Sequence, residues 1–87
     1  MKTIDLHGYK VHDAWKTFIA FAYEKYQDKE KHIRVITGHW LIKKEFPLWC
    51  EACAHVRKWE TEPYNTGAWK VRLRWIKFRN GKKSLNI

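Results

Sequence analysis

The chain has 87 residues with 45% hydrophobic content, which is one globular domain of modest core and too apolar for a disordered tail. Its 18 Lys and Arg against 9 Asp and Glu give a formal charge of +9, so polyanions are the expected partners: nucleic acid first, an anionic surface second. No apolar run is long enough to span a membrane, and the charged start is no signal peptide; the expectation is a cytoplasmic protein without a membrane partner and, by default, a monomer.

Thr3-Ile4-Asp5-Leu6-His7 alternates apolar and polar side chains, the period of a half-buried strand, and Gly8 ends it. From Val11 to about Asp28 the period changes to three and four, through Val11, Trp15, Phe18, Ala22 and Tyr26, predicting an amphipathic helix. His32 to Thr37 reads as a second strand, stopped by Gly38. Ile42 to Ala54 reads as a second helix, with Phe46, Trp49, Cys50 and Cys53 on one face and Pro47 as an irregularity. Val56 to Thr61 is a short third strand, and Glu62 to Gly67 carries turn chemistry. The last strand, Ala68 to Phe78, sets Trp69, Val71, Leu73 and Trp75 against Lys70, Arg72 and Arg74. Residues 1–78 form the domain and 79–87 a basic C-terminal tail.

The order β-α-β-α-β-β, with right-handed crossovers, puts both helices on one face of a four-stranded mixed sheet. The expected class is therefore a two-layer α/β (α+β) sandwich with one open sheet face. Strand parity then collects Thr3, Asp5, His7, His32, Arg34, Lys70, Arg72 and Arg74 on that face. Charge supports the grouping: residues 63–87 carry seven basic residues and no acid. Arg34, Lys70, Arg72 and Arg74 could hold a phosphodiester while Asp5 and His7 act on it. A carboxylate and an imidazole at i, i+2 in a strand share one side; His7 suits proton transfer, and Asp5 could orient it or hold a divalent cation such as Mg²⁺.

Cys50-Glu51-Ala52-Cys53 is a lone C-x-x-C with only His55 close by, so zinc is not expected and the thiols read as buried. Of six tryptophans, Trp15, Trp49, Trp69 and Trp75 have core phase; Trp40, and less clearly Trp59, are left as stacking surfaces.

Ile4-Asp5-Leu6-His7-Gly8 resembles the LDLHG signature of the Smr (small MutS-related) domain family. The family's second motif, H-G-x-G or T-G-x-G, is similar to Thr37-Gly38-His39-Trp40 after the second strand. Ile42-Lys43-Lys44-Glu45-Phe46 resembles the start of the family's second helix, and Gly67-Ala68-Trp69-Lys70-Val71-Arg72-Leu73-Arg74 its closing strand. The resemblance runs over about residues 3–75. It implies a fold like the C-terminal domain of bacterial translation initiation factor 3. It also implies DNA or RNA binding and, in many members, endonuclease activity. Asp5, His7 and Gly8 match the first motif; Thr37 and Gly38 match the second. Trp40 stands where the second glycine belongs, which blocks close approach of a phosphate but offers a surface for base stacking. His39 adds a second candidate imidazole. The leading expectation is an endonuclease; beside it stand a nucleic-acid-binding module without catalysis and a protein-interaction domain.

Overall fold

The structure, a computed structural model, describes residues 1–75. Its elements are β1 (Lys2–Asp5), α1 (Val11–Gln27), β2 (His32–Ile36), α2 (Leu41–Ala52), β3 (Val56–Thr61) and β4 (Ala68–Leu73). The expected order holds, and both helices cover one face of a four-stranded mixed sheet. Strand β4 ends at Leu73, so Arg74 and Trp75, expected within it, lie past its end. The reading of a strand as far as Phe78, the boundary at residue 78 and the basic tail 79–87 lie outside the described residues.

The strand order is β1-β2-β4-β3. β1 runs parallel to β2, and β4 lies antiparallel to both of its neighbours, β2 and β3. The final hairpin thus does not extend the sheet at an edge. It folds β4 back into the gap that the β2–α2–β3 crossover leaves open. A central strand has no edge to solvent, and β4's inward row of Trp69, Val71 and Leu73 is correspondingly buried. Its outward row, Lys70 and Arg72, therefore stands in mid-sheet. A bulge between Val56 and Lys58 marks the far edge.

Burial follows the two periodicities. Ala14, Phe18 and Ala22 of α1 and Ile42, Phe46, Trp49 and Cys50 of α2 close over Ile33, Val35, Val71 and Leu73. The Phe18 and Phe46 rings meet edge to face at 4.9 Å, and Phe46 reaches Trp69 at 5.0 Å. Both phenylalanines are fully buried. Truncating either opens a cavity where the two helices meet the sheet. Phe46→Ala is expected to cost about 3–5 kcal/mol, most of what a domain this size has. Urea denaturation would show a midpoint collapsed towards zero denaturant; a loss under about 1 kcal/mol would contradict this core.

α1 stops in a left-handed turn. Lys29 takes φ +63°, the Glu30 N–H bonds the Lys25 carbonyl and the Lys29 N–H bonds the Tyr26 carbonyl. α2 continues through Pro47, which has no N–H to give the Lys43 carbonyl.

Two tryptophans depart from the core phase. Trp15 is 41% exposed and Trp75 is 49% exposed. Trp75 lies past the end of β4, where the ammonium of Lys31 sits 5.0 Å from its ring centroid. Trp59, in contrast, packs against the core on the inward side of β3. Cys50 and Cys53 are buried and unbridged, and burial pushes the Cys50 thiol pKa well up. His55 stacks on Tyr26 at 4.4 Å instead of completing a cysteine ligand set.

Candidate nucleic-acid interface

β1 and β2 run parallel, so their C-terminal ends and the starts of α1 and α2 lie at the same end of the sheet. A crevice of about 420 Å³ opens there, between the β1–α1 loop (His7, Gly8, Tyr9, Lys10) and the β2–α2 loop (Thr37, Gly38, Trp40). This is where open α/β sheets commonly take ligands. Neither helix start carries a side-chain cap: Lys10 and Trp40 hold the cap positions without a capping hydrogen bond. First-turn N–H groups at both ends are therefore left for another acceptor.

The Asp-Leu-His-Gly segment builds one wall. Leu6 is fully buried, and its N–H extends the β1–β2 ladder to the Ile36 carbonyl at 2.8 Å. The chain then turns. The Asp5 carboxylate accepts the main-chain N–H of His7 at 2.9 Å, and Gly8 adopts φ +88°, open to glycine at little cost. The hydrogen bond joining Asp5 to His7 thus runs through the main chain rather than the imidazole. His7 leaves the open sheet face, where unbroken strand parity places it, and lies over the β2–α2 loop. Gly38, at φ +73°, passes beneath it: a Cβ there would stand 3.5 Å from His7 Cδ2.

Thr37 is only 3% exposed and works from below. Its hydroxyl accepts the Trp69 indole N–H at 3.0 Å and donates towards the carbonyls of Gly38 and Gly67. The Gly67 carbonyl also takes the N–H groups of Thr37 and Gly38. The β3–β4 turn therefore clamps the loop that carries Gly38. His39 packs over Gly67 with Nε2 3.2 Å from the Thr66 hydroxyl. Trp40 is 86% exposed at the crevice mouth.

The open sheet face is less uniformly basic than strand parity suggests. Register brings Thr3 beside Arg34, Arg34 beside Lys70, His32 beside Arg72, and Arg72 and Lys70 beside Lys58 and Glu60. Arg34 is paired: Nε and Nη2 donate to the two carboxylate oxygens of Glu62 at 2.8 and 3.0 Å. That hydrogen bond holds the Glu62 carboxyl below the usual carboxylate range. Arg74 lies beyond β4, and its guanidinium Nε donates to the Ala54 carbonyl at 2.9 Å. Of the four basic residues expected in one row, Lys70 and Arg72 remain on the sheet face without an ion-pair partner among the described residues, joined by Lys58, which alternation in the short third strand could have supplied.

These three and His32 and Glu60 line a shallow cup. The cup lies at the end of β2 opposite the crevice. Four residue steps along β2 separate His32 from Ile36, about 13 Å, the reach of a few nucleotides. The His32 pKa is lowered, by burial first and then by Lys70, Arg72 and Lys31. A phosphate in the cup would reverse the charge effect. NMR titration should put the His32 midpoint below its ordinary value of about 6.5, moving upward when oligonucleotide is bound; a midpoint that ligand leaves unmoved removes the cup from the interface. Without ligand, the unfolded chain takes up this proton first as pH falls below about 6.5, so acid favours unfolding through that window.

Among the described residues no three His, Cys, Asp or Glu side chains come together to hold a metal ion. Asp5 alone does not fit a protein-held divalent cation, and one of its oxygens already accepts the His7 N–H. No helix among the described residues is long and apolar enough to cross a membrane.

A mixed sheet backed by two helices, with motif loops at the ends of β1 and β2, defines a class, and sequence comparison names it. The chain matches the Smr domain over residues 4–74 and belongs to that family. Smr domains are nucleic-acid-binding modules of the nuclease type. The fold is similar to the crystal structure of the Smr domain of Thermus thermophilus MutS2, with a TM-score of 0.81 at 19% identity over 85% of this chain and 99% of that one. No curated protein matches the chain in sequence.

Proposed function

We propose that this chain is an Smr-type endonuclease that binds DNA or RNA across the crevice and the Lys58–Lys70–Arg72 cup and cleaves a phosphodiester at His7. The observation that carries the reading is the placement of His7: an exposed imidazole held over Gly38, between two helix starts whose first-turn N–H groups lack side-chain caps. A phosphate drawn to that end of the sheet meets a group able to give or take a proton and donors able to stabilise oxyanion charge. Asp5 positions this group through the His7 N–H. Gly8, Thr37 and Gly38 shape the loops; Trp40 contacts a base; His39, bonded to Thr66, supports the β2–α2 loop. Arg34 stays with Glu62, so holding the backbone falls to Lys70 and Arg72. Mg²⁺ would arrive with the phosphates rather than be held by the protein.

Binding without catalysis is the second reading. Trp40 in place of the motif's second glycine favours it. Supercoiled plasmid and structured RNA, incubated with and without Mg²⁺, separate the two. Wild-type protein should nick or cut at least one, and Asp5→Ala/His7→Ala should not. Identical products from both proteins would remove the catalytic claim and leave binding.

A further inference from the structure

We propose that the crevice takes an unpaired nucleobase, so that the substrate of this domain is a single strand or an unpaired stretch of a folded one. The proposal rests on the reading above, since it names the form of nucleic acid that the same site accepts.

Each wall of the crevice contributes one exposed aromatic ring: Tyr9 from the β1–α1 loop and Trp40 from the β2–α2 loop. Trp40 is 86% exposed, although an indole left in water forgoes a large burial gain. Its side chain caps nothing on α2 and packs on no part of the core. Val11, Leu41 and Ile42 line the space between the walls, and Leu41 is itself 64% exposed. The volume, about 420 Å³, lies within the range of pockets that enclose small ligands. An apolar crevice with aromatic lips suits a flat ring whose faces are free.

Charge narrows the occupant. Among the described residues, Lys10 is the one formally charged residue lining the crevice, and no carboxylate lines it. The +9 chain and the cationic cup beyond favour a polyanion over an apolar peptide. A nucleotide supplies both halves: a ring for Tyr9 and Trp40, a phosphate for Lys10 and the helix starts. Bases in a duplex are paired and stacked, so one must be extruded before a ring in the crevice can touch it. An unpaired base enters without that cost. Aromatic stacking is sequence-tolerant, because every base has a π face.

The test is fluorescence anisotropy at one salt concentration. The ligands are a single strand of about 12 nucleotides and a hairpin duplex of the same sequence, each as RNA and as DNA. The single strand should bind tighter in at least one sugar series. Trp40→Ala should weaken its binding about 5- to 150-fold, the range for one lost stacked base, and bring the single-strand preference towards unity. Trp40→Phe, which keeps an aromatic face, should restore most of the preference. A 2-aminopurine in the strand should be quenched by wild-type protein and less so by Trp40→Ala. Circular dichroism checks that the variants fold, as expected for so exposed a side chain. Equal wild-type affinity for the two forms, or an equal loss on both in Trp40→Ala, overturns the proposal and leaves nucleic-acid binding intact. Failure to bind any of the four ligands overturns the underlying reading and this proposal with it.

Discussion

His7→Ala is expected to slow phosphodiester cleavage about 100- to 10,000-fold, the usual worth of one positioned general acid or base. The loss should fall on the single-turnover rate at saturating nucleic acid, because affinity is spread over the cup and the crevice. The side chain is exposed and buries no core surface, so the variant should keep the stability of the wild type. Asp5 separates two accounts of the same motif. Its carboxylate accepts the His7 N–H at 2.9 Å, a bond that an amide oxygen can replace. Asp5→Asn should therefore retain most of the rate, whereas Asp5→Ala releases the turn and loses much of it. If Asp5→Asn is as inactive as His7→Ala, the negative charge is what matters and the positioning role assigned here is wrong.

Lys70→Gln/Arg72→Gln carries the second large effect, on affinity. Both side chains stand in mid-sheet on β4, Arg72 between His32 and Lys58 and Lys70 between Arg34 and Glu60. Each phosphate neutralised contributes about −0.7 on a single strand, and about −0.9 on a duplex, to the slope of log K against log salt. Removing two contacts should flatten the slope by about 1.4 to 1.8. Near physiological salt the same relation makes each contact worth roughly 4- to 5-fold, so the double variant should bind about 15- to 30-fold more weakly. Arg34→Gln should do less, because Glu62 already holds both ends of its guanidinium. Glu62→Gln should do the opposite and tighten binding by releasing that charge. An unchanged slope in the β4 double variant would place the nucleic acid elsewhere.

Periodicity carried the elements well. Helix α1 was legible to within a residue at its C-terminus, since a broad apolar stripe at helical spacing has few competing explanations. The position of β4 was not. A hairpin reads locally as an added edge strand, and nothing local shows that the preceding crossover leaves a gap beside β2. Two consequences were hidden with it. Glu62 meets Arg34 across 28 positions of sequence, and the Trp69 indole meets Thr37 across 32. Both contacts exist because β4 enters between β2 and β3. Trp15 and Trp75 show the limit of phase as a guide to burial. The one lies at the edge of a helix stripe and the other past the end of its strand, where the partner layer has run out. The motif residues of the crevice were legible in the Asp5–Gly8 and Thr37–Trp40 segments. Strand parity does not carry His7 to the β4 cations, because the strand ends at Asp5 and the chain turns there.

Nucleic acid is expected to lie over the sheet's open side and the loop crevice, with a phosphate at His7. Amide chemical-shift mapping with a non-cleavable oligonucleotide tests that directly. The largest shifts should fall on His7 to Lys10, Gly38 to Leu41, and Lys58, Lys70 and Arg72. Shifts confined to the outer surface of α1, around Lys16 and Glu24, with the crevice residues unmoved, would contradict it.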